Sequence, residues 1–168
     1  MMSSAGHQQG RHGTDAERAA ANFGAEVITN AAGERMSAAK IEARLKASSP
    51  LIGQAVCIGD KRPYNVALIL LDPRERASYA SMHGLDDASL ATLADDERVQ
   101  DAVALGIDLA NEQLSGPEQI KRFAILPVDW RPGSDELTPS RKLKRKPIAA
   151  KYAEKIDWMY TTGGPERS

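Results

Sequence analysis

Glu136-Leu137-Thr138-Pro139-Ser140-Arg141-Lys142-Leu143-Lys144-Arg145-Lys146-Pro147-Ile148 packs five cations into the six residues from Arg141 to Lys146. A turn-forming Thr-Pro-Ser leads into the run, and Pro147 suits the first position of a helix that follows it. The pattern predicts a mobile, strongly positive hairpin at the edge of a small domain, fitted to an anion such as a phosphate or a carboxylate. Lys142 is the candidate for chemistry. Its ammonium is a compact charge on a flexible stem, able to reach a carboxylate oxygen and a phosphate oxygen together. On charge alone, the same run also reads as a solvated basic face or a nuclear-localisation-like segment.

The rest of the chain sets limits on what that hairpin can serve. Its 168 residues fit one domain by size. Hydrophobic residues make up 42% and aromatics only 5%, so Val, Ile, Leu and Ala must fill the core. The net charge of -1 gives no global field toward nucleic acid or an anionic membrane. No aromatics interleave the basic run, which argues further against a nucleic-acid partner. The single cysteine, Cys57, excludes a disulfide framework and fits a buried structural thiol in a reducing cytosol. His7, His12 and His83 are scattered, so no metal site is expected. No apolar run approaches the ~20 residues of a transmembrane helix, and no secretory signal is visible. The localisation expected is cytoplasmic, with any membrane contact made through a partner.

Hydrophobic periodicity divides the remainder. Residues 1–25 read as a disordered leader, with a helical turn or two around Asp15–Asn22. A short β-prone piece at Glu26–Asn30 leads into a loop centred on Gly33. Ser37 is a candidate N-cap for a helix with Ile41 and Leu45 on one face, ending near Ser48-Ser49-Pro50. Gln54–Gly59 and Asn65–Leu71 read as an antiparallel hairpin about the turn Asp60-Lys61-Arg62-Pro63. The second strand is apolar on both faces, as a central strand should be. Helices are expected from Asp72-Pro73 to Met82, over Asp87–Leu93, and from Asp95-Asp96-Glu97 onward. The last carries Val99, Ala102, Val103, Gly106, Ile107, Ala110 and Leu114 as one apolar stripe, stopped by Gly116-Pro117. Phe123–Leu126 is a third strand. A final helix from Pro147 places Ile148, Tyr152, Ile156 and Met159 together, and residues 161–168 are a flexible tail. The fold expected is α+β: a small, three-stranded, mainly antiparallel sheet flanked by helices.

Thr138 to Lys146 resembles the terminal lysine motif of AMP-forming long-chain fatty acyl-CoA synthetases, within the adenylate-forming ligase superfamily. Ile28 to Glu42 resembles that family's glycine-loop segment after its hinge. Ser49 to Tyr64 resembles the first hairpin of its C-terminal lid, and Phe123 to Pro127 its third strand. The resemblance covers about residues 26–160, and its motifs stand in the family's order and spacing. It implies a lid domain without the N-terminal core. Lys142 would be catalytic, assisting adenylate formation. Gly33, with Ala32, Glu34 and Arg35, would serve the CoA step, and Arg141 and Lys144 would contact the cofactors. ATP, CoA and Mg are implied for the complete enzyme, with none held tightly by this chain alone. Fatty acid, ATP and CoA would bind only in complex with a separate adenylation core.

Some positions depart from the family pattern. Ala38 stands where a proline is usual, Glu34-Arg35 where a lysine–asparagine pair is common, and Arg141 where a smaller or neutral residue is frequent. Asn22 to Glu26 does not resemble the family's hinge. Three readings therefore stand side by side: a lid that works only with a core and is inactive alone, a non-catalytic remnant or binding module of a rearranged ligase gene, and an unrelated nucleic-acid binder.

Overall fold

Period-two alternation splits three strands between two apolar layers. On β3 (Ile52–Ile58), Ala55 and Cys57 face one layer and Val56 the other. On β4 (Asn65–Leu71), Ala67, Ile69 and Leu71 alternate with Val66, Leu68 and Leu70 in the same way. On β5 (Ile120–Ile125), Phe123 and Ile125 join the first layer and Ala124 the second. Both faces of the sheet therefore need a cover, and helices supply it. These observations come from a computed structural model that describes residues 26–85 and 89–161. The expected leader (1–25), with its helical turns, and the tail beyond Thr161 lie outside the described residues.

The chain enters through a two-stranded ribbon, β1 (Val27–Thr29) against β2 (Arg35–Ser37). The second of these strands was expected as loop. Ser37 then caps α1 (Ala38–Ser48), its hydroxyl accepting the Lys40 amide at 3.1 Å. Ile41 and Leu45 are fully buried on the first layer. After β3 and β4, Asp72 caps α2 (Pro73–Met82) by accepting the amides of Arg74 and Glu75. Two further helices, α3 (Leu90–Asp95) and α4 (Glu97–Asn111), complete that side. The helix expected over Asp87–Leu93 thus sits slightly later, capped by Ser89, and residues 86–88 lie outside the described residues. The α4 stripe is buried at Val99, Val103, Gly106, Ile107 and Ala110, as its spacing predicts.

The sheet order is β3-β4-β5, with β3 antiparallel to β4 and β5 parallel to it. With the ribbon included, two of the three strand pairings are antiparallel. Connectivity permits the parallel pair: β4 reaches β5 through three helices, a connection long enough for the crossover that parallel strands require. Asn111 fixes the return. Its buried amide donates to the Ile120 carbonyl at 3.0 Å and accepts the Ile120 amide at 2.9 Å.

The second layer is covered by α5 (Arg145–Lys151) and α6 (Ala153–Thr161). One continuous helix from Pro147 was expected. Instead α5 starts two residues earlier, which a proline in the first turn tolerates because that turn's amides have no partner inside the helix. The helix breaks at Tyr152. Ile148, Ile156 and Met159 still bury together against Val56, Leu68 and Leu70.

Candidate functional site

The segment between β5 and α5 is held by short-range bonds. Gly133 turns the chain at φ 82° and donates to the Leu137 carbonyl at 3.0 Å. The Ser134 hydroxyl accepts the amides of Glu136 and Leu137. Bridges pair Leu137 with Pro132 and with Leu143. At the tip, the Thr138 amide donates to the Lys142 carbonyl at 2.9 Å and the Arg141 amide to the Thr138 carbonyl at 2.8 Å. The Lys142 amide donates to the Thr138 hydroxyl at 2.9 Å. Arg141 takes a left-handed backbone, φ 69°, at a cost of roughly 1–2 kcal/mol for a residue with a Cβ. The expected basic hairpin is present, and it is a closed turn.

Its five cations divide by direction. Arg141, Lys142 and Lys146 are exposed. Lys144 is half-buried, and its ammonium donates to the Ser134 carbonyl at 2.8 Å while its amide donates to Glu136. Arg145 points inward with a side chain only 10% exposed. Its two terminal nitrogens form a fork on Glu42 of α1, at 2.7 Å to Oε2 and 2.5 Å to Oε1. Glu26 approaches the same guanidinium at 3.4 Å. Glu42 also accepts the Cys57 amide at 2.8 Å.

Burial raises the Glu42 carboxyl above the ordinary glutamate range, and Arg145 offsets part of that rise. For Arg145, burial works against the charge, but Glu42 and Glu26 outweigh it and raise its pKa. A guanidinium keeps its proton in proteins, so the Arg145 side of the pair stays charged.

A second anchor lies at Glu136, which is 4% exposed. Its carboxylate accepts the Lys151 ammonium at 2.5 Å and the Tyr152 hydroxyl at 3.4 Å. Trp130 in turn donates to that hydroxyl at 3.1 Å. Desolvation opposes the Glu136 charge, but Lys151 prevails and the carboxyl is lowered. Arg145, Glu42, Glu136 and Lys151 were not among the expected site residues. Glu42 carried a sequence signal: it stands beside Ile41 on the buried face of α1, where a carboxylate needs a cation.

The Gly33 loop is built differently. Ala31 to Arg35 are all exposed. Gly33 has φ 85°, and nothing lies within 4 Å of where a Cβ would stand. Asn30 is the hub below it. Its side-chain oxygen accepts the amides of Ala32 and Glu34, and its side-chain nitrogen donates to the Glu34 carboxylate at 3.0 Å. The Glu34 charge is therefore tied to the loop base. The Ala31 amide donates to the Arg62 carbonyl at 2.9 Å, tying the loop to the β3–β4 turn. The two candidate loops thus rest on separate supports, one on that turn and one on α1 and α5.

A cleft of about 430 Å³ opens between β1, the end of β3, α5 and α6, floored by Val56, Cys57 and Ile58, with Arg145 and Lys146 among its lining. Burial pushes the Cys57 thiol well above its ordinary pKa, which makes it a poor nucleophile. Among the described residues, no cluster of His, Cys, Asp or Glu is placed to hold a metal ion. No described helix is long and apolar enough to cross a membrane.

The same fold occurs within solved adenylation domains of carboxylic acid reductases. The adenylation domain of a carboxylic acid reductase from Segniliparus rugosus, solved with AMP and a carboxylic acid, superposes at a TM-score of 0.61, with 24% identity over 80% of this chain and 20% of that one. The corresponding domain from Mycobacterium chelonae gives 0.62 at 22% identity, over 80% of this chain and 19% of the other. These similarities carry the fold.

The chain belongs to the AMP-binding enzyme C-terminal domain family, whose model matches residues 25–163. It is 48% identical over 137 residues to a Mycobacterium tuberculosis protein named as a fatty-acid–CoA ligase, FadD11, covering 82% of this chain and 24% of the relative. It is 38% identical over 136 residues to the long-chain-fatty-acid–CoA ligase FadD15 of the same species, covering 80% and 22%. The chain therefore spans about a quarter of the length of the curated relatives it matches.

Proposed function

We propose that this chain is the lid domain of a long-chain fatty-acid–CoA ligase, acting with an adenylation core and inactive without one. The observation that carries the reading is an exposed Lys142 on a closed, braced turn, in a domain whose relatives are named as fatty-acid–CoA ligases. In the first half-reaction a fatty-acid carboxylate oxygen attacks the α-phosphorus of ATP and pyrophosphate leaves. Negative charge gathers on the phosphoryl oxygens. A cation aimed at those oxygens stabilises the transition state, and Lys142 is that cation. Arg141, on the same turn, adds positive potential. In the second half-reaction the CoA sulfur attacks the acyl carbonyl and AMP leaves with the bonding electron pair. The exposed Gly33 loop, with Ala32, Glu34 and Arg35, would line the approach of CoA. Magnesium, ATP and the acyl chain would be held by the core.

The test supplies this full chain to a long-chain ligase truncated at the end of its core and follows acyl-CoA formation. Rescue is expected, and Lys142→Ala should cut the adenylation half-reaction by ~10²-fold or more while leaving the fold intact. No rescue by a chain shown to be folded would refute the reading in favour of a binding module.

A further inference from the structure

We propose that Arg145 and Glu42 are positioning residues for Lys142: their buried fork fixes the turn that presents the lysine. The proposal rests on the reading of Lys142 as the adenylation cation. Arg145 is the first residue of α5 and follows Lys142 by three positions. A bidentate guanidinium–carboxylate pair fixes orientation as well as distance. Both side chains are removed from water, 10% and 7% exposed.

The acceptor is itself held in place. Glu42 stands on a helix anchored by Ile41 and Leu45, and its Oε2 also takes the Cys57 amide of β3. β3 is an edge strand of the three-stranded sheet, so Glu42 caps an amide the sheet leaves open. Arg145 reaches round that edge from the opposite layer. The fork thus ties the helix that follows the lysine turn to the helix packed on the other face of the sheet.

The turn is closed on its other side by Thr138, and Lys144 closes its base on Ser134 and Glu136. With the fork in place, the backbone of Lys142 is held from both ends. Without it, the turn rests on the local bonds of Thr138 and Lys144 and on the Glu136–Lys151 pair alone, its α5 end is unanchored, and its bonds open more often. Small misplacements of a catalytic group are costly because orientation sets much of the rate.

The amides of Thr138, Arg141, Lys142 and Lys144 all donate to defined acceptors, so hydrogen exchange reads the closure of the turn directly. The main variant is Glu42→Gln with Arg145→Met, which removes both charges of the fork, so that neither is left buried without the other; Glu26, 24% exposed, loses its 3.4 Å contact. Glu42→Gln keeps an oxygen for the Cys57 amide. Exchange at residues 138–144 should become ~10-fold or more faster, while the β4 amides keep wild-type rates. Arg145→Lys, with a point charge in place of a fork, should recover only part of the protection.

In the rescued ligase, the double variant should lower kcat for adenylation by about 10²-fold with little change in KM for ATP. Unchanged exchange at 138–144 overturns the proposal. So does loss of adenylation with Lys142→Ala but not with the double variant, which would leave the role of the lysine intact. If Lys142→Ala itself has no effect, the lysine reading fails and this inference falls with it.

Discussion

Gly106→Ala sets two effects of opposite sign against each other. Gly106 lies mid-helix in α4, buried where that helix crosses the end of α1. Alanine in a helix interior is favoured over glycine by about 1 kcal/mol, so propensity alone predicts a gain. Packing predicts a loss. A Cβ at position 106 would stand 2.6 Å from the Cβ of Ser49, with the Ser48 and Ser49 hydroxyls at 3.5 Å. Neither Cβ can rotate away, because each is fixed by its own backbone.

The Ser49 backbone is not free to shift. Its carbonyl accepts the Ile52 amide at 3.1 Å, and its hydroxyl accepts the Leu51 amide at 3.3 Å, forming the turn between α1 and β3. Overpacking of this kind costs about 1–3 kcal/mol. The near-backbone contact puts it in the upper part of that range, so a net loss of about 1–2 kcal/mol remains after the propensity gain. That corresponds to a melting temperature lower by roughly 3–10 °C for a domain of this size. Thermal and urea unfolding monitored by circular dichroism would measure it. Ser49→Gly supplies the control. In that background the clash is absent, and Gly106→Ala should be neutral or stabilising by up to about 1 kcal/mol. A single Gly106→Ala variant melting at or above wild type, or an equal loss in both backgrounds, would refute the steric account.

Two further outcomes are expected. Gly33→Ala places a Cβ in open space but at φ 85°, so it should cost about 1–2 kcal/mol of backbone strain; separate assays of the half-reactions should show adenylation kept and thioester formation reduced. Acid should destabilise the domain through Glu136 and Glu118. Desolvation opposes both charges, but Lys151 for the first, and Ser115 with Lys40 for the second, hold them below the ordinary range. Their stability contribution is therefore present above pH ~4.3 and lost as pH falls through the lowered values. Glu42 has the opposite sign. Raised by burial, its contribution is present below the ordinary value and lost as pH rises through the raised one. A melting-temperature titration should show a shallower acid limb for Glu136→Gln than for wild type.

Local signals carried most of the fold. Ser37 caps its helix, a helix starts at Asp72-Pro73, the α4 stripe is buried where its spacing put it, and β4 is buried on both faces. These features depend on neighbours within a turn or two, so a single sequence contains them. The parallel pairing of β5, the ribbon strand Arg35–Ser37 and the break at Tyr152 depend on contacts between distant segments. The fork between Glu42 and Arg145 joins residues 103 positions apart, and no periodicity points across such a gap. The Lys142 turn and the Gly33 loop were legible as motifs. Their supports, Glu136 with Lys151 and Asn30 with Glu34, were not.

The basic run shows why residue type alone misassigns charge. Five neighbouring cations look like one electropositive surface, yet two of them face the protein. A buried ion pair is weak evidence of stability, because removing two charges from water offsets most of their attraction. Its better-attested effect is to fix one arrangement among several, since a half-made pair leaves a buried charge exposed to a low-dielectric interior. In this domain the arrangement so fixed is the turn that carries Lys142. An apolar pair at positions 42 and 145 could match the stability, but it would lack the directional fork and the acceptor for the Cys57 amide. The run is better read as a brace of Lys144 and Arg145 supporting an exposed pair, Arg141 and Lys142, with Lys146 beside them. Under the proposed function, anion chemistry would fall to the exposed residues, and the buried ones would set their aim.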